Sequence, residues 1–305
     1  MSATPVPATD ADAPDSARLT RLLVPLALVA LYVIWGSTYF AIRVGLQSYP
    51  PFLLAAVRFL SAGTLLFAFL RWRGMAAPTR MQWLNAAATG TLLLGLGNGL
   101  VCVAEQSVTS GLAAVTVASM PLFAALFGGI YGQWPAQREW IGLGVGFAGV
   151  ILLNLGGSMG GTPLGALALL TAAASWAFGS IWSRRRNMPP AAMNTAAQML
   201  TGGAVLLAFS LLVGERWPAA PDLQASLAIG YLVVAGSLVG FSAYLYLLGT
   251  VRPALATSYA YVNPPVAVLI GFLLGGEPLH ALDIVAMAVI LAGVGLITLA
   301  RSRSA

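Results

Sequence analysis

Apolar residues run along this chain in blocks of about twenty, each closed by a short polar or arginine-bearing connection. The blocks cover roughly residues 21–42, 52–71, 83–103, 110–131, 140–156, 163–183, 192–213, 224–249, 254–276 and 280–300. About 20 apolar residues in a helix cross the hydrocarbon core of a bilayer. The pattern therefore predicts an all-α membrane protein of ten transmembrane helices, and the short connections predict one packed bundle. Residues 1–18, with Ala, Pro, Asp and Thr and no apolar period, are expected to form a disordered cytoplasmic tail. Arg18 and Arg21 ahead of the first block suggest a signal peptide, but the block continues to about Ile42. That is longer than the roughly 7–15 residues of a signal core, so it is expected to stay as the first span.

The blocks repeat. Residues 111–135 and 254–278 follow one plan without a gap: Leu112, Ala113, Pro121, Ala124, Leu126, Gly128, Gly132 and Pro135 fall on Leu255, Ala256, Pro264, Ala267, Leu269, Gly271, Gly275 and Pro278. Trp35 in the first span has a counterpart in Trp176 of the sixth, and Tyr49-Pro50-Pro51 and Met188-Pro189-Pro190 open the second and seventh. The chain thus reads as two five-helix repeats, residues 19–157 and 158–300, with 301–305 as a second cytoplasmic tail. Five is odd, so equivalent helices must run in opposite directions. Inverted-topology repeats are a hallmark of secondary transporters, whose substrate site lies near the membrane midplane between the halves.

Composition narrows the picture further. The 305 residues are 59% hydrophobic and 8% charged, with a mean hydropathy of +0.86, against about 25% charged in soluble domains. The net charge of +6 comes from arginine clusters between apolar blocks and signals orientation, not nucleic-acid binding. With the N-terminus inside, Arg18, Arg21, Arg71, Arg73, Arg80, Arg138, Arg184, Arg185, Arg186, Arg252, Arg301 and Arg303 fall on the inner side, and only Arg43 and Arg216 on the outer. This asymmetry predicts that both termini are cytoplasmic. No lysine occurs in the chain, which removes the phosphate-binding loop of nucleotide hydrolases. The lone Cys102 permits no internal disulfide.

Trp35-Gly36-Ser37, Pro50-Pro51 with Arg58, Pro121, Asn263-Pro264, Gly271 and Gly276-Glu277-Pro278-Leu279 together resemble the drug/metabolite transporter superfamily, in its ten-helix EamA type. The likeness covers about residues 22–300. Gln133-Trp134-Pro135 departs from it where the second half keeps Gly-Glu-Pro. The resemblance implies an exporter of small metabolites in a bacterial inner (plasma) membrane, with a cavity lined by spans 1, 3, 4, 6, 8 and 9. It implies neither enzyme activity nor a cofactor.

Several residues are candidates for that cavity. Pro121 and Pro264 each remove a helical hydrogen bond and are expected to bend their spans. Trp35, Tyr39, Trp176 and Tyr244 lie deep in their blocks, unlike Trp72, Trp83, Trp134 and Trp140 at block ends. With Ser180 nearby they suit an amphipathic organic solute. Asn98 lies among small residues in Gly95-x-Gly97-Asn98-Gly99. Tyr259, Tyr261 and Asn263 alternate, so a helix cannot turn all three to one side, and Asn263 is the better polar ligand. Arg58, roughly two turns below the outer end of span 2, is expected to pair with Glu105, with Arg43 as competitor, or to bind a substrate carboxylate. Glu277, His280 and Asp283 form a loop cluster read as solvated, with no metal, and Glu277 as an anchor for the loop. None of the nine acids lies mid-span, which leaves proton coupling without a carrier.

Gly144-x-Gly146-x-x-Gly149 matches a dinucleotide fingerprint in letters only, since no strand precedes it; Gly142-x-x-x-Gly146 reads as close helix packing. The expectation is a carrier, working as a monomer in the lipid bilayer, that exports small amphipathic metabolites, amino acids (aromatic ones among them) first, by alternating access. Multidrug or quaternary-ammonium export is the rival within transport, and a channel the rival outside it.

Overall fold

A computed structural model describes residues 13–132, 134, 137–155, 162–250 and 259–302. Among them the chain is helical throughout, without strands. Helices α1 (Ala13–Gly45) and α2 (Pro51–Trp72) are followed by α3 (Arg80–Gly90), which continues through a π-helical stretch, Thr91–Asn98, into α4 (Gly99–Ala104). Then come α5 (Ser110–Val117), α6 (Met120–Ile130), α7 (Gln137–Leu155), α8 (Pro163–Ser183) and α9 (Ala191–Leu212). Helix α10 (Leu223–Tyr231) passes through a second π stretch, Leu232–Val239, into α11 (Gly240–Thr250), and α12 (Tyr259–Gly275) and α13 (Ala281–Ser302) end the bundle.

Helix boundaries follow from local chemistry. Thr79 and Gln82 form a reciprocal capping box at α3, and the side chains of Thr109, Thr162 and Asp222 cap α5, α8 and α10. Pro50 and Pro190 precede α2 and α9, where a missing N–H costs nothing. Seven of the resulting helices, Arg80–Ala104 and Leu223–Leu247 among them, are long and apolar enough to cross a membrane. Three shorter apolar helices, Trp140–Gly149, Val262–Gly275 and Ala281–Gly293, stand where the sequence predicts the fifth, ninth and tenth spans. The two prolines act differently. The ring of a proline clashes with the residue four before it, and α5 ends at Val117, four before Pro121, so the fourth rod is broken into two helices. Pro264 and Pro265 instead sit inside α12, near its start.

Inversion of the halves can be read from the contacts. Leu60 of α2 meets Gly203 of α9 while Gly63 meets Leu200, so the two equivalent helices cross antiparallel. In the same way Gly146 of α7 meets Gly293 of α13 and Gly149 meets Ile290. The remaining helices exchange partners: α1 packs on the second π stretch and α11, as α8 packs on the first π stretch and α4. A helix lying antiparallel on its own counterpart is what a two-fold axis across the bundle produces. Large side chains such as Leu26, Leu65, Phe69, Leu212, Leu273 and Leu274 are exposed around the outside. An apolar solvent would cover them.

The α7–α13 crossing gives a direct test. A Cβ at Gly293 would lie 2.4 Å from the Gly146 backbone nitrogen, whereas one at Gly295 would meet nothing within 4 Å. Gly293→Ala should cost about 1–3 kcal/mol or more through overpacking and lower the thermal midpoint in detergent. Gly295→Ala should leave the midpoint unchanged or raise it slightly through helix propensity.

Candidate functional site

A cavity of about 120 Å³ opens in the middle of the bundle, between the two halves. On that scale it holds on the order of ten water molecules, the size of a small metabolite. Helix α1 contributes Trp35, Thr38, Tyr39 and Ile42, one face of a helix by their spacing of three and four. Helix α2 gives Arg58 and Phe59, the third rod gives Gly97, Asn98 and Val101, and α8 gives Ala172 and Trp176. Phe241 of α11 and Tyr259, Asn263 and Pro264 of α12 complete the opposite wall, with Met120 beside the break in the fourth rod.

The two π stretches support this wall at equivalent places. Their first residues, Thr91 and Leu232, stand as far apart in sequence as Trp35 and Trp176 do. A wide turn offers carbonyls that a tight α-helix keeps for itself. The carbonyl oxygen of Gly236 accepts from Trp35 Nε1 at 3.0 Å, and that of Leu92 accepts from Ser175 Oγ at 2.7 Å, beside Trp176. Trp35 is further boxed by Phe241, Tyr244 and Tyr259, with ring centroids 5.2, 5.5 and 4.8 Å away. Both tryptophans are thus held by the other half of the molecule. Nothing in the residue types around 91–98 or 232–239 announces a π-helix; Gly95-x-Gly97-Asn98-Gly99 marks only a place of close approach.

Polar groups around the cavity are few and buried. Arg58 is 5% exposed and donates from Nε to Ser237 Oγ at 3.1 Å. Asn263 is 7% exposed, and its Oδ1 accepts no hydrogen bond from the described residues. An orphaned acceptor of this kind costs about 1–3 kcal/mol, which a donor from a ligand would recover.

Glu277 gathers contacts from three elements at one end of the bundle. Its Oε1 accepts from Arg43 Nη1, from the Ser110 amide at 3.0 Å and from Ser110 Oγ at 2.8 Å, while Oε2 accepts from the Gly111 amide at 3.3 Å. A carboxylate on the first amides of α5 also meets the positive end of that helix. The approach is possible because Gly276 adopts φ +59, and because a side chain at Gly271 would fall 2.4 Å from Glu277 Oε2. One carboxylate therefore ties together α1, α5 and the loop after α12.

Trp35, Tyr39, Asn98, Trp176, Asn263 and Pro264 all come together in the cavity, as does Arg58. Tyr244 stands behind Trp35 and Tyr259 instead, and Ser180 is not among the lining residues. The side chains of Pro121 and Tyr261 lie outside the described residues. Tyr259 was the lining residue to expect, since it precedes Asn263 by four positions and shares its face. The ion pairing differs from the expectation: Arg43 engages Glu277, Arg58 engages Ser237, and neither is paired with Glu105. Spacing along the chain could not reveal a partner 234 residues away. The loop around Glu277 is exposed, His280 included, but its two acids are not: Glu277 and Asp283 are 6% and 1% exposed, and Asp283 accepts from the His280 amide at 3.0 Å at the start of α13.

Comparison with known proteins now adds identity. The model of the EamA-like transporter family matches residues 22–155 and again 163–299. YedA of Escherichia coli K12, an uncharacterized inner membrane transporter, is 51% identical over 284 residues, which cover 92% of this chain and 93% of YedA. A chloroplastic WAT1-related protein of Arabidopsis thaliana is 27% identical over 88% of this chain and 68% of its own. One solved crystal structure superposes with a TM-score of 0.65 at 24% identity, over 92% of this chain and 99% of that one, a likeness of fold alone. With the family model matched in both halves, the chain belongs to the EamA-like transporter family and is a multi-pass membrane transporter.

Proposed function

We propose that the protein is a secondary carrier that exports small amphipathic carboxylates, amino acids first among them, across the inner membrane. The observation that carries this reading is Arg58. Among the described residues lining the cavity it is the charged one, it is buried, and no carboxylate lies within ion-pairing distance. A guanidinium in such a place is costly without a counter-charge, and it presents the fork that suits a carboxylate. Across the cavity, Asn263 Oδ1 offers an acceptor to an ammonium group, and the rings of Trp35, Tyr39, Trp176 and Tyr259 cover an apolar side chain. A quaternary cation would meet Arg58 as a like charge. Carrying one is the weaker reading.

Both termini lie in the cytoplasm on the strength of the arginine asymmetry, which puts the Glu277 end outside. The halves, 19–157 and 158–300, rock about the cavity, and the Arg43–Glu277 contact is the closed outer gate. The cavity is built within one chain, which suits a monomer.

Two experiments follow. In proteoliposome counterflow, amino acids should compete with a labelled amino-acid tracer and organic cations should not. Arg58→Gln should raise the half-saturating concentration about 10–100-fold, the loss of a charge-assisted hydrogen bond. Competition by cations alone, unaffected at Arg58, would contradict the reading. The gate can be followed at Cys102, the chain's single cysteine, which is 1% exposed and stands at the Glu277 end. A membrane-impermeant thiol reagent should label it slowly, and on the order of tenfold faster in Glu277→Gln, as the closed state loses charged hydrogen bonds.

A further inference from the structure

Glu105 follows the last residue of α4, at the end of the bundle that Glu277 closes. By sequence position it should be wet. It is instead 4% exposed, and neither Oε1 nor Oε2 accepts a hydrogen bond from any described residue. The titratable and charged groups that face it are Tyr39 and Arg43 of α1, Arg58 of α2, Cys102 on its own helix, and Glu277 from the loop after α12. Both arginines are engaged elsewhere, Arg43 by Glu277 and Arg58 by Ser237. An ionised carboxylate buried without a donor costs several kcal/mol. A neutral carboxylic acid in the same place costs far less.

We propose that Glu105 is a proton-binding site of the carrier, which holds a proton while Glu277 engages Arg43 and releases it when Arg43 is freed. This rests on reading the Arg43–Glu277 contact as the outer gate. The exchange balances simply. When the gate opens, Glu277 reaches water and Arg43 turns to the nearby Glu105. The Glu105 O–H bond breaks, its proton leaves to solvent at the opened end, and the carboxylate keeps the electron pair. On closing, Arg43 returns to Glu277 and Glu105 takes up a proton. Burial, and after it the negative charge of Glu277, holds the carboxyl well above the ordinary value of 4.5, while Arg43 and Arg58 oppose them. The absence of a mid-span acid therefore does not leave the protein without a proton carrier: a loop-end acid is buried by the folded gate.

Infrared difference spectroscopy of the purified protein in lipid nanodiscs tests this without any substrate. The wild type at neutral pH should show a protonated-carboxyl stretch that Glu105→Gln removes and that fades as pH rises. Glu277→Gln removes a negative neighbour and frees Arg43, so the midpoint of that fading should fall by about one pH unit or more. Arg43→Gln should raise it. If Glu105→Gln fails to fold, the comparison of wild type with Glu277→Gln still decides. A band that survives Glu105→Gln, or a midpoint that Glu277→Gln does not move, overturns the proposal. A failure of the amino-acid reading would appear only in counterflow, so the two are told apart. A folded state that keeps a proton above pH 4.5 also loses stability as pH rises. The thermal midpoint of the wild type should therefore fall with pH more steeply than that of Glu105→Gln.

Discussion

One end of this bundle is pinned by a buried carboxylate. Glu277 draws α1, α5 and the loop after α12 to one point through Arg43, Ser110 and Gly111. The first amides of α5 are buried and need a partner inside the protein, and the partly exposed Arg43 guanidinium is drawn to a carboxylate. Here they find the same one. Removing it would take a charged partner from Arg43 and an acceptor from two backbone amides at once.

Around the cavity the two halves supply each other's walls. Trp35 is fixed by the carbonyl of Gly236 in the second half, and Ser175 beside Trp176 by that of Leu92 in the first. Each tryptophan rests on a helix of the opposite half. Among the buried polar groups are Arg58 against Ser237, the unpartnered oxygen of Asn263, and the acid group of Glu105. The walls between them are rings and small residues, which impose shape without fixing hydrogen bonds.

Most of this was legible in the sequence, and for identifiable reasons. The apolar blocks and their repeat follow from hydropathy alone, and an odd number of helices in each half forces inversion. Trp35, Tyr39, Asn98, Trp176 and Asn263 stood out because polar or aromatic groups deep in apolar blocks need a purpose. What stayed hidden depends on contacts distant in sequence. The partner of Arg43 comes from the far end of the chain, and the burial of Glu105 depends on the loops that fold over it. Tyr244 was expected at the cavity yet packs behind Trp35 and Tyr259, since depth in a block does not specify which side of the helix a ring takes.

The central claim is that a buried guanidinium selects the carboxylate of a small amphipathic solute. It is tested most directly by comparing, in counterflow, an aromatic amino acid with the amine obtained by removing its carboxyl group. Both share the ring and the ammonium, and only one can meet Arg58. Exchange of the amino acid with little or none of the amine is the predicted result. Equal exchange of both, or preference for the amine, would contradict the account and return the cavity to a carrier of organic cations.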